Sequence, residues 1–320
     1  MKLTALTDNF FVNYPDSVLL ALEAVSPGLT ITCMPRTSAT IVNLMDSEAI
    51  FGWVSPRLLK DLPNLKWLHL PNSGANNYAN PALYANPSVI LTKSSGTFGI
   101  PISEYVLGMM VALSRNFTRH YKNQQEGNWP RDYLETLDIF GSNVFVLGLG
   151  DVGTEVCKRL SGFGCHITGF RRDTSVPHEF ANEVRPISLL RESLPDADYI
   201  IFCLPGTNET YQLIGREEFG LMKKRAIVIN IGRGSLIDTD ALVDALNNHQ
   251  IAGAGVDVTD PEPLPAEHPL WSAENVIITP HSSAMSPGND ARRLEIFTDL
   301  LKRYTSEQEL YNIVDFALGY

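Results

Sequence analysis

Asn143-Val144-Phe145-Val146-Leu147-Gly148-Leu149-Gly150-Asp151-Val152-Gly153 is the stretch that decides the fold of this chain. Residues 144–147 form an apolar run of strand length, and a helical pattern follows to about residue 162. Between them Gly148, Gly150 and Gly153 fit the spacing G-x-G-x-x-G. The pattern alone is weak, but between a strand and a helix it marks a turn that carries a dinucleotide. The first glycine permits the tight turn, the second lets backbone approach a pyrophosphate, and the third lets helix pack on strand. The helix N-terminus then attracts the anion. Asp151 and Val152 open that helix and join the three glycines as candidate cofactor contacts.

Outward from this turn the pattern repeats. Apolar runs at 144–147, 167–170, 199–204, 227–231, 255–258 and 276–279 are separated by helical stretches. Six such runs predict a Rossmann-type, doubly wound parallel sheet. The first hundred residues alternate in the same way, with strands at 3–6, 30–33, 49–51, 66–70 and 89–92 and helices at 16–25 and 56–62. They predict a second, smaller α/β domain with a mostly parallel sheet. A long helix from 101 to about 119 joins the two, with Pro101 in its first turn. Ile102, Tyr105, Val106, Met109, Met110, Leu113 and Phe117 recur on it at helical spacing. A last helix at 290–304 returns to the first domain. The expected division is 1–102 with 285–320, a discontinuous substrate-binding domain, and 103–284, a dinucleotide-binding catalytic domain.

Composition bounds the function. Apolar residues make up 44% and charged residues 19% of 320 residues, the balance of a globular protein with room for two cores. The net charge of -11 argues against nucleic acid or an anionic membrane as partner. Cys33, Cys157, Cys165 and Cys203 form no CxxC pair and no cluster with histidine at zinc-ligand spacing, so no metal is expected and the cysteines read as buried free thiols. Met1 to Phe10 lacks the basic start and apolar stretch of a signal peptide, and no apolar run reaches the roughly 20 residues of a membrane span. A cytoplasmic protein is the expectation.

In open parallel sheets ligands lie beyond the carboxyl ends of the strands. The run at 167–170 leads into Arg171-Arg172, with Asp173 only afterwards. An NAD-specific turn usually places an acid there for the ribose 2′-hydroxyl, whereas paired guanidinium groups suit a 2′-phosphate. NADP(H) is therefore the preferred cofactor and NAD(H) the second candidate. Further along stand Leu204-Pro205, Ile231-Gly232-Arg233-Gly234, Asp257, Asp260-Pro261-Glu262-Pro263 and Pro280-His281-Ser282-Ser283. An arginine, a carboxylate and a histidine thus stand at successive strand ends.

On these motifs the chain resembles the D-isomer-specific 2-hydroxyacid dehydrogenase family over nearly its whole length. The resemblance rests on the glycine turn, Asn230-Ile231-Gly232-Arg233-Gly234, Gly255-Val256-Asp257-Val258, Pro261-Glu262-Pro263-Leu264 and Thr279-Pro280-His281-Ser282. It implies a flavodoxin-like fold for the smaller domain and hydride transfer from NAD(P)H to a small 2-keto acid. Glyoxylate, hydroxypyruvate or another keto acid would be reversibly converted to the D-2-hydroxy acid. Arg233 would bind the substrate carboxylate, His281 would donate the proton, and Glu262 would orient the imidazole and favour its charged form. Cofactor contacts would add Leu204, Pro205, Ile231, Arg233, Asp257, His281 and Ser283. The loop Asn72-Ser73-Gly74-Ala75 would offer backbone N–H groups to the carboxylate, those of Ser73, Gly74 and Ala75 above all, although Asn76 stands where an aspartate is expected, and Trp53 is a candidate wall of the substrate pocket. The resemblance also implies a homodimer. Two rivals follow from it: a non-enzymatic nucleotide-binding regulator of the corepressor type, and a formate dehydrogenase, against which Glu262 stands in place of a glutamine.

Overall fold

The structure is a computed structural model that describes residues 1–6, 15–26, 28–130, 136–317 and 319. The chain divides into two compact units, Met1–Phe98 with Ser286–Tyr320, and Gly99–Met285.

The first unit is built on five parallel strands: β1 (Lys2–Leu6), β2 (Thr30–Met34), β3 (Ala49–Phe51), β4 (Trp67–Leu70) and β5 (Ile90–Lys93). Their order is β2-β1-β3-β4-β5, the flavodoxin-like order. Side chains alternate between two buried faces, which is why these strands read as continuous apolar runs. Leu6, Ile50, Leu68 and Leu91 face one core. Leu3, Phe51 and Trp67 face the other, where they meet Phe297, Leu300 and Leu301 of the helix Asn289–Thr305. Phe51 and Phe297 stack with ring centroids 4.2 Å apart. Burying each such side chain contributes roughly 1.5–3 kcal/mol, and this ties the last helix to the first sheet.

The second unit carries seven parallel strands: β6 (Asn143–Leu147), β7 (His166–Arg171), β8 (Glu183–Pro186), β9 (Tyr199–Phe202), β10 (Ile227–Asn230), β11 (Gly253–Val256) and β12 (Val276–Ile278). The order is β12-β11-β10-β9-β6-β7-β8. Counted within the unit, the chain winds out from the centre in both directions, the Rossmann arrangement, with the reversal between β6 and β9. Val144 lies opposite both Ile167 and Tyr199, and the four residues of β9 and of β10 are all buried.

The structure departs from the sequence expectations at four places. The single helix expected over 101–119 is two, Gly99–Ser114 and Phe117–Gln125. The Ser114 hydroxyl bonds back to the Met110 carbonyl and to Tyr199, and Asn116 adopts the left-handed conformation at φ 54°. Asparagine tolerates that region better than most residues, and the ladder stops there. Phe117 is consequently exposed and is not on the buried stripe. The helix begins at Gly99, where a side chain would meet Asp151 and Glu155 at 2.8 Å, so the whole helix belongs to the second unit. The segment expected as a helix at 56–62 is a 3-10 helix, Pro56–Asp61. Strand β8 has no apolar run to announce it; it is an edge strand with no fully buried residue, and proline is tolerated at an edge. The cysteines are free, but only Cys157 is fully buried, with its thiol pushed up to about 12 by burial.

Candidate active site

The glycine turn closes β6 onto the helix Asp151–Leu160. The Gly148 amide donates to the Phe170 carbonyl at 2.8 Å, tying the turn to β7. A side chain at Gly153 would collide with the Gly148 carbonyl, so only glycine lets the helix lie this close. Gly150 is the helix N-cap, and a Cβ built on it meets nothing within 4 Å. Backbone here faces an open cradle at a positive helix end, which fits a pyrophosphate.

At the end of β7 the two arginines are used differently. Arg171 is half-buried, and its guanidinium donates to the Val176 carbonyl. Its Nε is buried with no hydrogen-bond partner among the described residues, an orphaned donor that fits an anionic ligand. Arg172 is exposed and pairs with Glu209 at 2.7 Å. Asp173 accepts the Ser175 amide at 2.8 Å, and the hydrogen bonds from Ser175 hold its carboxyl below the ordinary value. The aspartate thereby closes its own turn. His178 bonds Thr154 at 3.1 Å, and burial together with the Arg171 charge lowers its pKa.

Beyond β9, β10, β11 and β12 lie the residues with chemistry. Arg233 stands exposed between two buried glycines. A Cβ at Gly234 would collide with the Thr259 backbone, so this turn admits no side chain there. Asn230 fixes the turn, accepting from the Gly232 amide at 3.1 Å and donating to the Arg233 carbonyl at 2.9 Å. The Arg233 guanidinium donates to the Gly232 carbonyl, and among the described residues it is not bonded to His281 or Glu262. Past the end of β9 Leu204 is half-buried and Pro205 exposed, and a Cβ at the next residue, Gly206, would lie 3.2 Å from the Arg233 stem. Ile231 is buried.

His281 and Glu262 are brought together: Nδ1 of the histidine lies 2.7 Å from Oε1 of the glutamate. Their side chains are 49% and 43% exposed, open to a small molecule. The carboxylate fixes the imidazole as Nδ1–H, leaving Nε2 for another partner. His281 sits at φ 52°, and its amide donates to the Asp257 carbonyl at 2.8 Å. Asp257, 1% exposed, holds the rest of that loop. Its carboxylate accepts Thr279 Oγ1 at 2.7 Å, the Ser282 amide at 2.8 Å and the Ser283 amide at 2.9 Å. Sequence reasoning placed Asp257 and Ser283 only as cofactor contacts; their bond to each other is a tertiary feature no local pattern announces.

In the first unit, residues 72–75 follow β4. The amides of Ser73, Gly74 and Ala75 donate to no acceptor among the described residues. Asn72, which the sequence reading placed in this loop for its backbone alone, accepts the Trp53 indole N–H at 2.9 Å through its side chain and donates to the Gly74 carbonyl at 2.8 Å.

A Rossmann-type unit with a glycine turn and an acid–histidine pair at its strand ends defines a nicotinamide-dependent oxidoreductase. Residues 107–283 match the family model described as D-isomer specific 2-hydroxyacid dehydrogenase, NAD binding domain. The chain is 36% identical over 255 residues to the glyoxylate reductase of Pyrococcus horikoshii, covering 75% of each chain. It is 30% identical over 266 residues to the glyoxylate/hydroxypyruvate reductase HPR3 of Arabidopsis thaliana, covering 82% of this chain and 80% of that one. The crystal structure of a D-isomer specific 2-hydroxyacid dehydrogenase from Xanthobacter autotrophicus, in complex with NADPH and MES, superposes with a TM-score of 0.82 at 25% identity, covering 100% and 99% of the two chains. This chain belongs to the D-isomer specific 2-hydroxyacid dehydrogenase family. No helix among the described residues is long and apolar enough to cross a membrane.

Proposed function

We propose that this chain is an NADPH-preferring reductase of small 2-keto acids that yields D-2-hydroxy acids reversibly, with glyoxylate and hydroxypyruvate the first substrates to test. The observation that carries this reading is the Glu262–His281 pair at 2.7 Å, set at the strand ends of a family dinucleotide fold. The nicotinamide, when bound, supplies the hydride. Gly148, Gly150, Asp151, Val152 and Gly153 hold the pyrophosphate end of the cofactor, Arg171 and Arg172 its 2′-phosphate, and Leu204, Pro205, Ile231 and Ser283 line the remainder. Asp257 serves this end by fixing the loop that carries His281 and Ser283.

As hydride reaches the keto carbon, negative charge develops on its oxygen. His281 donates its Nε2 proton there, giving the hydroxyl, and the reverse reaction returns that proton to the ring. Glu262 holds the ring by Nδ1–H and stabilises its charge. Arg233, with its planar fork, takes the substrate carboxylate and polarises the keto oxygen. Within the first unit, the amides of Ser73, Gly74 and Ala75, with no acceptor among the described residues, suit a carboxylate as donors. The named relatives are reductases and all three residues of the set are present, so the regulator reading gains no support. A cytoplasmic homodimer completes the proposal, and sedimentation of the purified chain tests its size.

The deciding experiment is a steady-state screen of glyoxylate, hydroxypyruvate, pyruvate and branched keto acids with NADPH and with NADH, and chiral analysis of the product. Turnover with NADPH to the D-isomer is expected. No turnover with any keto acid, or an L-product, overturns the reading.

A further inference from the structure

The loop at 72–75 has to present three amide donors in a fixed array, yet its own sequence, Asn-Ser-Gly-Ala, is short and small. Its rigidity therefore comes from outside. The side-chain amide of Asn72 is bonded in two directions: its oxygen accepts the Trp53 indole N–H at 2.9 Å, and its NH2 donates to the Gly74 carbonyl at 2.8 Å. The Asn72 backbone carbonyl also accepts the Ser94 amide at 3.2 Å, just past β5. One residue earlier, the Pro71 carbonyl accepts Arg293 Nε at 2.8 Å, and Arg293 is itself held by Asp290 at 2.7 Å. Asn72 thus joins the ends of β3, β4 and β5 at one point. The asparagine at 76, where the family resemblance expects an aspartate, has no side-chain partner among the described residues.

We propose that Asn72 is the positioning residue of the carboxylate-binding loop, and that Trp53 acts on substrate affinity by anchoring Asn72 and not by walling a pocket. Only Asn72 has the geometry for both bonds: the carbonyl of Gly74 can be pinned only by a donor, and the indole N–H only by an acceptor. With the Gly74 carbonyl pinned, the Ala75 N–H of the same trans peptide is turned the opposite way, and the orientation of one donor of the loop is fixed. Asn72→Asp keeps the acceptor for Trp53 but sets a carboxylate oxygen against the Gly74 carbonyl, so it breaks the second bond alone. This inference rests on the keto-acid reading above.

The test uses the full chain with saturating NADPH. Trp53→Phe removes the indole N–H and keeps an aromatic ring. It is expected to raise KM about two- to tenfold, the worth of one neutral hydrogen bond, with kcat held within about twofold. Because the loop reads the carboxylate common to all substrates, the rise is expected to be equal for glyoxylate, pyruvate and a branched keto acid. The affinity for oxamate, an unreactive analogue, should fall by the same factor. A change that grows with side-chain size, or no change, overturns the proposal in favour of a pocket wall. Asn72→Asp is expected to cost more than Trp53→Phe. In Asn72→Ala the Trp53 indole N–H resonance should shift upfield in a 1H–15N spectrum, a reading independent of turnover; an unshifted resonance also overturns it. A parent chain that neither reduces a keto acid nor binds oxamate takes down the functional reading itself.

Discussion

The two units hold their functional loops by different chemistry. In the second unit a buried carboxylate, Asp257, gathers the loop of His281 through one hydroxyl and two backbone amides. In the first unit a neutral amide, Asn72, pins residues 72–75, and the buried polar side chains nearby, His69, Thr92 and Ser94, offer no charge. His69 is fully buried, bonded to Thr92 at 2.8 Å and Ser94 at 2.9 Å, and burial lowers its pKa to about 3. An ionised acceptor makes bonds roughly twice as strong as a neutral one. The loop of His281, to which proton transfer is assigned in the proposal, is therefore held by the stronger anchor, and residues 72–75, to which only binding is assigned, by the weaker.

The largest break in this contrast comes from His281 itself. His281→Ala removes the proposed proton donor and should lower kcat by about a hundred- to ten-thousandfold while NADPH binding, measured by fluorescence titration, stays near that of the parent. Loss of less than tenfold would mean that another group donates the proton. Asp257→Asn comes next. Its amide offers one acceptor in place of two oxygens, so a buried N–H loses its partner at about 1–3 kcal/mol. Both Tm and kcat should fall; a variant as active as the parent would show that the loop holds itself.

Arg171→Ala addresses the cofactor. Its orphaned Nε and its place at the end of β7 give the expectation that kcat/KM for NADPH drops about tenfold with NADH unaffected. An unchanged ratio would assign discrimination elsewhere, with the Arg172–Glu209 pair the next place to look.

The smallest effect concerns His69. The unfolded chain protonates this histidine near pH 6.5, while the folded chain keeps it neutral down to about 3. Between those values only the unfolded chain gains the proton, so stability falls with pH by up to about 1.4 kcal/mol per unit, and this group adds no pH dependence above 6.5. Urea midpoints between pH 7 and 5 should show the slope, and His69→Gln should flatten it. An equal slope in the variant would place the sensitivity in other groups.

Much of this was legible in the sequence because buried parallel strands are apolar on both faces and announce themselves. The glycine turn and the Glu262–His281 pair were legible for a second reason: their roles need particular residue types at fixed strand ends. What escaped reading was tertiary. Nothing in Glu183-Val184-Arg185-Pro186 marks an edge strand until β7 supplies its partner. Nothing near Ser114 marks a helix end until Tyr199 offers its hydroxyl. Asn72 reads as one more polar loop residue, because the two groups it joins lie 19 positions upstream and 2 downstream. Asp257 was read as a ligand contact because its neighbours in space come from beyond β12.

The grip of Asp257 on its loop has a consequence for how this enzyme can change. It takes hold of Ser282 and Ser283 by their main-chain N–H groups, which every residue but proline possesses. The loop's shape is thus insured by a single distant position, and the side chain at 282, which is only half-buried, is released from any duty to maintain it. Substitutions there can alter what the loop presents to a ligand while the histidine before it keeps its place. Diversity is concentrated where it is cheap, and intolerance at one aspartate; a library randomised at 282 should retain folded, active members that the same library at 257 lacks.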